Sequence, residues 1–310
     1  MSEFQNDKDI IIRKREKRKR IKRKKKLYNT IIIVLCLVLV VCIYNIGSYF
    51  WQDFSNKNMN EDLAGEYVSY NQDGSTDPSN SSNTGDGQNP SGGTSVKKEI
   101  VVPDSIDFEK LKAQNEDVVG WIFSKNGVIN YPILQGSDNS YYLNHLLNGK
   151  KNINGSIFMD CDAKSDFSGA NTIIYGHSMD NGSMFRTLLN YKKKSYYEKY
   201  PEMYIFTPNG KYKLVIFSAY ETTSSDLAYI NIYGQAGFNK FVSHAFAKSK
   251  FKTNVEVGVG DRLVTLSTCA YSSEKARFLV IGKLVSADEE ESNSQSTTNS
   301  QDYYGSFLGG

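Results

Sequence analysis

The longest hydrophobic stretch of the chain lies near its beginning. Residues 27–52 carry no charged side chain, and Ile31 to Ile43 is an almost unbroken run of Ile, Val and Leu. A helix of about 20 apolar residues crosses the roughly 30 Å hydrocarbon core of a bilayer. The pattern therefore predicts a transmembrane helix over residues 27–51.

The flanks of this stretch predict its orientation. Residues 13–26 are almost wholly Lys and Arg, Tyr28 lies at one margin of the apolar run, and Tyr-Phe-Trp at 49–51 lies at the other. Basic residues favour the cytoplasmic side of a membrane, and aromatic residues favour its interfaces. We predict that residues 1–26 are cytoplasmic and that the chain beyond the helix is extracellular.

Two other interpretations of the apolar segment stay open. A cleaved signal peptide needs a cleavage site of small residues, and only Gly47-Ser48 approaches one. A lipid-modified Cys42 would need a small residue before it, whereas Val41 is large. The pattern favours an uncleaved signal anchor over both.

Beyond the apolar segment the composition changes twice. Residues 52–98 are rich in Asn, Ser, Gly, Asp and Thr, with few aliphatic side chains after Tyr70. Such a segment buries too little apolar surface to fold, so we predict a flexible extracellular tether. The acidic, Ser/Thr/Asn-rich composition of 288–310 predicts a disordered tail. One folded domain is expected between them, over 99–287.

Within that domain the hydrophobic pattern favours strands. Runs rich in β-branched and aromatic residues, separated by turn residues, are typical of short strands. They predict a mostly β domain with inserted helices, arranged as a closed or nearly closed barrel of about eight strands. The predicted strands are 121–123, 128–134, 156–159, 171–175, 203–206, 211–220, 264–266 and 278–284, and the helices 106–118, 138–147, 184–190 and 195–199.

One further helix is predicted from a 3.6-residue period. Its apolar positions follow the i, i+3, i+4, i+7, i+8 spacing of an amphipathic helix. Packing of this stripe on the sheet is favoured over a direct role in function. The stripe consists of Phe238, Phe241, Val242, Ala245 and Phe246.

Charge and cysteine usage narrow the function classes. Residues 1–50 hold 13 of the 37 Lys and Arg but 4 of the 34 Asp and Glu, so the remainder of the chain is mildly acidic and no nucleic-acid partner is predicted. Two of the four cysteines, Cys36 and Cys42, lie in the apolar run. A disulfide between the other two, Cys161 and Cys269, stays open. The sequence has no CxxC or HExxH motif, so neither a metal nor another cofactor is predicted.

The most reactive combination of residues lies near the end of the domain. Cys269 ends the strand Thr-Leu-Ser-Thr-Cys, and Arg277 begins the next one. A thiolate suits nucleophilic catalysis, and a guanidinium suits the oxyanion that such an attack generates. A lone cysteine on a strand is more often a small buried hydrophobe, so this pair alone does not decide the function.

A cysteine nucleophile also needs an acid or base, and the chain has three histidines. His145 lies among apolar neighbours and is predicted to be structural, partly buried and hydrogen-bonded. His244 is predicted to face solvent on the amphipathic helix. His177 follows a strand through Gly176 and precedes a turn-rich loop, a setting typical of catalytic side chains.

These segments together resemble the active-site segments of sortases, of class B more than class A. The resemblance covers residues 100–286. It is carried by Ile-Ile-Tyr-Gly-His-Ser-Met-Asp-Asn-Gly around His177, by Thr-Leu-Ser-Thr-Cys269, and by Arg277-Phe-Leu-Val-Ile-Gly-Lys-Leu. The upstream segments Tyr-Pro-Ile-Leu-Gln-Gly-Ser-Asp-Asn from 131 and Gly-Ser-Ile-Phe-Met-Asp from 155 also match in type and order.

The resemblance implies a membrane-anchored cysteine transpeptidase of a Gram-positive bacterium, built on a closed eight-stranded sortase-type β-barrel. Cys269 would attack the carbonyl of a Thr in a C-terminal sorting signal of a secreted protein. His177 would protonate the departing amine and deprotonate the incoming cell-wall amine, and Arg277 would bind the oxyanion. Water as acceptor would give hydrolysis.

The resemblance also implies a peptide groove. Its expected members come from the strand before the first active-site segment, from the loop after 211–220 and from the strand that bears the cysteine. They are Asn130, Leu134, Ser225, Tyr229, Ile230 and Ser267.

Two alternatives to cell-wall anchoring stay open. A pilin-polymerising enzyme would use a lysine as acceptor, and a non-catalytic extracellular binding module would merely pack Cys269. The aspartates at 160, 162 and 166 have calcium-like residue types but lack the glycine and terminal glutamate of an EF-hand, so a solvated loop is favoured.

Overall fold

The chain divides into two units in a computed structural model that describes residues 2–70, 101–230, 232, 234–269 and 275–287. The units are Met1–Phe54 and the part that begins at Ser55. The predicted tail and most of the predicted tether, 71–98, lie outside the described residues.

The first unit is helical. Helix α1 spans Ser2–Tyr67 and so begins in this unit and continues into the second. Between Ile31 and Ile46 its large apolar side chains are exposed, as in a helix that lies against lipid. By length and composition, α1 is long and apolar enough to cross a membrane.

The second unit is built around a closed barrel of eight strands, which confirms the predicted fold class. Its strands are β3 (Val118–Ser124), β4 (Asn130–Leu134), β5 (Ile157–Met159), β6 (Asn171–Tyr175), β7 (Glu202–Thr207), β8 (Gly210–Thr223), β9 (Arg262–Cys269) and β10 (Ala276–Ser286). Going round the barrel, the strand order is β10-β8-β7-β3-β4-β5-β6-β9.

Shorter elements surround the barrel. The two-residue strands β1 (Val68–Ser69) and β2 (Ser105–Ile106) pair with each other. The helices are α2 (Phe108–Gln114), α3 (Lys194–Lys199) and α4 (Gly234–Lys248), and 3-10 turns span Tyr141–Leu143, Arg186–Lys192 and Leu227–Tyr229.

The alternation of side chains along the strands divides the core between the two faces of the barrel wall. Ile122, Ile133 and Ile205 belong to a cluster of fully buried residues together with Ile174 and Val280. Their neighbours in sequence, such as Trp121 and Leu134, belong to a second cluster. Successive side chains of a strand point to opposite faces, so one cluster fills the barrel and the other covers it.

Helix α4 covers another part of the wall. Phe238, Phe241, Val242 and Ala245 are buried with residues of β8 and β10, which confirms the predicted amphipathic helix. Phe246, at the margin of the stripe, is 36% exposed and stacks at a tilt on Phe217.

The beginning of the predicted tether differs in the structure. The last part of α1 buries Leu63 and Tyr67, Val68 is buried beside them, and all three belong to the same hydrophobic cluster as Trp121. Asn56 Nδ2 donates to the Gly155 carbonyl at 3.3 Å. Leu63 and Tyr67 lie one helical turn apart and so share a face, a spacing hidden within the polar composition of this segment.

This docking predicts a stability effect at Leu63. We expect Leu63→Ala to lower the free energy of unfolding by about 2–4 kcal/mol, since the leucine is buried and its loss leaves a cavity. Denaturant unfolding of the full chain in detergent micelles measures it. The control is Glu61→Ala on the same helix, where the side chain is 65% exposed and the change should be within about 0.5 kcal/mol. If Leu63→Ala and Glu61→Ala lower the free energy of unfolding by equal, small amounts, this part of α1 does not pack against the hydrophobic cluster.

Two of the predicted helices are shorter than expected. Residues 138–147 contain one 3-10 turn, Tyr141–Leu143, and Asp138 Oδ1 before it accepts from the backbone N–H of Ser140 and Tyr141. Helix α2 begins at Phe108 with Asp107 as its N-cap. Ser105, just before the predicted helix, pairs with Ser69 in the small sheet.

Candidate active site at one rim of the barrel

Two parallel strands bring His177 and Cys269 to the same rim. Strands β6 and β9 are parallel neighbours in which Tyr175 is level with Ser267, and the Gly176 N–H donates to the Ser267 carbonyl at 3.1 Å. His177 and Cys269 each lie two residues beyond that level pair. Because the strands run in the same direction, both residues emerge at the same end of the barrel.

The antiparallel strand β10 adds Arg277 to this rim. Arg277 and Cys269 are paired positions of the β9–β10 ladder. All three side chains are partly exposed. The structure therefore gathers the three predicted catalytic residues at one accessible edge, from segments that are distant in sequence.

The orientation of His177 is fixed by a backbone carbonyl. Nε2 of His177 lies 2.7 Å from the carbonyl oxygen of Leu143. A carbonyl oxygen only accepts, so Nε2 carries a hydrogen and donates it. Nδ1 is then the ring nitrogen left to exchange a proton with a reacting group.

Gly176 explains how the backbone reaches this position. A Cβ at Gly176 would lie 2.5 Å from Ile157 Cδ1 and 2.6 Å from Phe185 Cδ2, closer than real contacts allow. Phe185 in turn donates its N–H to the His177 carbonyl at 2.9 Å. The bare glycine lets the backbone directly after β6 pass close to Ile157 and Phe185, which places the histidine at the rim.

A tyrosine and a serine form a polar wall beside the cysteine. The hydroxyl oxygens of Tyr229 and Ser267 lie 2.6 Å apart, and the Tyr229 ring is parallel to the Tyr175 ring at a centroid distance of 6.4 Å. Burial raises the pKa of Tyr229, while the bond to Ser267 and the charge of Arg277 oppose that rise. The Tyr229 hydroxyl is thus neutral and lies within the electrostatic reach of Arg277.

Comparison with known proteins agrees with this geometry. Residues 124–285 match the sortase domain family. Sortase B of Staphylococcus aureus is 40% identical over 182 residues, which are 57% of this chain and 74% of that protein. This chain belongs to the sortase family. Its barrel is that of sortase B structures, and the enzyme is a sortase B-type cysteine transpeptidase.

Two solved structures of sortase B bear on the site. A sortase B–substrate complex from S. aureus has a TM-score of 0.55 and 38% identity, and the match covers 58% of this chain and 85% of that one. A structure of sortase B complexed with triglycine has the same TM-score and identity, with 58% and 86% covered.

The other predicted groove residues of this sortase differ in how far they are exposed. Ser225 and Ile230 flank the turn that carries Tyr229, and both are exposed, Ile230 by 56%. Leu134 is fully buried, and its assignment to the groove stays a prediction. The outward-facing side of β4 is covered by the second cluster, to which Leu134 belongs. Asn130 accepts a hydrogen bond from Trp121 Nε1 at 2.7 Å.

Leu143 is a site residue that the sequence reasoning missed. Its carbonyl holds His177, and its side chain is 42% exposed. The available signal was the apolar run Tyr-Tyr-Leu directly after a turn-forming Asp-Asn-Ser. Assignment of that run to a helix concealed it.

The remaining histidines have structural surroundings. His145 stacks on Tyr141 at a centroid distance of 4.0 Å, and its Nδ1 lies 2.8 Å from the Tyr141 carbonyl, which confirms a hydrogen-bonded structural role. The prediction that His244 faces solvent is wrong. Its Nε2 donates to Asp226 Oδ2 at 3.0 Å, because the i+3 spacing from Phe241 turns it toward the loop before α4.

The aspartate loop also has a contact that the sequence did not indicate. Asp160 Oδ2 accepts from the Tyr175 hydroxyl at 2.7 Å and from Asn139 Nδ2 at 3.0 Å. Burial and this bond both raise the pKa of Tyr175. One function of Asp160 is therefore to orient the tyrosine that stacks on Tyr229, whereas the sequence favoured a solvated loop.

Proposed function

We propose that this sortase is held in the membrane by α1 and joins secreted proteins to the cell wall outside the cell. The observation that carries the proposal is the gathering of Cys269, His177 and Arg277 at one rim beside the Tyr229–Ser267 wall. A thiol, a proton carrier and a fixed cation are the groups that two successive acyl transfers require.

The first transfer forms a thioester. The Cys269 sulfur attacks the carbonyl carbon of a Thr in the sorting signal, and Arg277 stabilises the negative charge that develops on the oxygen. The C–N bond of the peptide breaks and an S–C bond replaces it. His177 gives a proton to the departing amine, and the C-terminal part of the substrate leaves.

The second transfer releases the product. An amine attacks the thioester carbon, passes through a second oxyanion at Arg277 and gives up a proton to His177. The S–C bond breaks, a new amide forms and the cysteine is regenerated. The same steps with water as the nucleophile give hydrolysis, which we assign as a side activity.

The substrate classes follow from the groove and from the relatives. Ser225, Tyr229 and Ile230 provide polar and apolar contacts for an extended peptide, and Ser267 supports Tyr229 from β9. The substrate complex of S. aureus sortase B and the triglycine complex of sortase B support a sorting signal and an amine as the two kinds of partner. We assign the amine to a cell-wall precursor or cross-bridge.

The location follows from charge. The basic residues of 13–26 precede the exposed apolar part of α1 and favour the cytoplasmic side of the membrane. The barrel, which follows the apolar segment, then lies outside the cell, where secreted substrates and cell-wall amines meet.

An acceptor competition assay tests this function. The full chain in detergent micelles is acylated with a sorting peptide and then offered triglycine, a diamino-acid cross-bridge peptide, a pilin-type lysine peptide and water. We expect the cell-wall amines to give amide product at least tenfold faster than water gives hydrolysis, on the order of a 1.4 kcal/mol difference in barrier. A preference for the pilin lysine would instead assign the enzyme to pilus polymerisation, and hydrolysis alone would contradict transpeptidation.

A further inference from the structure

The carboxylate of Asp226 is buried behind the polar wall of Tyr229 and Ser267, where β8 and α4 meet. The Asp226 side chain is 1% exposed and accepts hydrogen bonds from three segments of the chain. From β8 come the Tyr220 hydroxyl at 2.9 Å and the Thr222 hydroxyl at 2.8 Å. From α4 come His244 Nε2 and Lys248 Nζ, each at 3.0 Å.

We call Asp226 and these four donors the Asp226 cluster. A fifth hydrogen-bond donor to Asp226 connects the cluster to the active site. Asp226 Oδ1 accepts from the Ala228 N–H at 3.0 Å and thereby caps the 3-10 turn Leu227–Tyr229. Burial alone would raise the pKa of Asp226, but the bonds from Ala228, His244, Lys248 and Thr222 hold it well below its usual value. Asp226 is therefore an anion with most of its acceptor capacity in use.

The capped turn ends at the residue that faces the cysteine strand. Tyr229 is the last residue of the turn, and its hydroxyl meets Ser267 two residues before Cys269. A movement of the turn would carry the Tyr229 ring away from Ser267 and would also move the exposed Ile230. The Asp226 cluster ties this turn to β8 and α4, which are packed together through buried side chains.

We propose that Asp226 is a positioning residue for peptide binding, which it supports by holding the Tyr229 turn against β9. The hydrogen bonds of Asp226 go to the turn, β8 and α4, so its effect on the peptide passes through Tyr229. This inference rests on the proposed function, in which Tyr229 lines the sorting-signal groove.

The inference predicts a change in peptide binding with little change in the chemistry. The substitution Asp226→Asn removes the negative charge and so weakens the hydrogen bonds from His244 and Lys248. The loss of such charge-assisted bonds corresponds to about a tenfold change in peptide affinity. We expect the half-saturating peptide concentration for thioester formation to rise about tenfold. The limiting rate of acylation should change less than about threefold, and so should the rate at which a methanethiosulfonate modifies Cys269. The reason is that Asp226 and its hydrogen-bond donors hold Tyr229 in place and do not contact Cys269.

A double-mutant cycle with Tyr229→Phe separates positioning from general destabilisation. If Asp226 acts through the Tyr229 hydroxyl, the variant with both substitutions should bind peptide no more weakly than the single variant with the lower peptide affinity. The matched control is Asp261→Asn, which removes an aspartate that accepts from the Gly258 N–H and pairs with Lys283 at the opposite end of β9. It should leave both kinetic parameters at the wild-type value.

The experiment measures acyl-enzyme by intact mass spectrometry, with the full chain in detergent micelles and sorting peptides of the LPxTG and NPxTN types. If Asp226→Asn fails to fold, His244→Gln and Lys248→Met remove single donors and should each raise the half-saturating concentration. Wild-type half-saturation in Asp226→Asn, additive effects in the cycle, or a fall confined to the limiting rate would overturn the inference. Absence of any adduct in the wild type would overturn the proposed function itself, and the inference with it.

Discussion

Replacing Cys269 by alanine is expected to abolish acyl-enzyme formation and to lower transpeptidation by on the order of 10⁴-fold or more, because the variant lacks the sulfur to which we assign the thioester. The measurement is intact mass spectrometry of the full chain after incubation with a sorting peptide, together with the rate of amide product formation. The fold should persist, since Cys269 lies at the strand end and is only partly buried.

The matched control is Cys161→Ala. Cys161 is the other free, partly buried cysteine of the folded unit, and it lies in the loop after β5. Burial and the neighbouring Asp162 and Asp160 raise the pKa of its thiol, which disfavours the thiolate. The Cys161→Ala variant should keep wild-type activity. Full transpeptidation by Cys269→Ala would remove the basis of the proposed mechanism and would favour a binding module.

Arg277 is expected to contribute through its shape as well as its charge. We expect Arg277→Lys to lower the limiting rate of acylation by about 10²- to 10³-fold, because a lysine ammonium on a flexible stem does not reproduce the directed N–H groups of a guanidinium. Arg277 lies near the start of β10 opposite Cys269, so the guanidinium is carried by a paired strand at fixed register. Single-turnover acylation kinetics measure the effect.

The control for Arg277 lies at the other end of the same strand pair. Arg262 begins β9 and lies over the Tyr212 ring at 4.7 Å from its centroid. The substitution Arg262→Lys keeps the charge and should leave acylation unchanged within about twofold. If Arg277→Lys also acylates at the wild-type rate, its guanidinium does not stabilise the oxyanion, and another donor must be sought.

Most of the barrel could be predicted from the local pattern of residues. Strands such as Asn171–Tyr175 are short runs of β-branched and aromatic residues, helix α4 carries a 3.6-residue period, and each lies where the pattern placed it. His177, Cys269 and Arg277 stand out because each is a reactive residue at an element boundary. The order of these segments then indicates a sortase, and the order of strands round the barrel brings the three together.

Other features depend on contacts between distant segments, which a local pattern does not contain. The resemblance implies Leu134 as a groove residue, but it does not indicate that packing with residues of distant segments buries this side chain in the second cluster. The last turns of α1 have a tether-like composition and dock through Leu63 and Tyr67. Asp226 and His244 are 18 residues apart, and only the return of α4 against β8 makes them partners.

Acylation of Cys269 by a Thr-containing sorting signal is the step on which the proposed function depends. The most direct measurement is peptide mapping by mass spectrometry of the full chain after incubation with LPxTG-type and NPxTN-type peptides. We predict a mass increase equal to the peptide up to and including its Thr, confined to the fragment that contains Cys269. An adduct of the uncleaved peptide, an adduct on Cys161, or no adduct with either peptide class would contradict the claim.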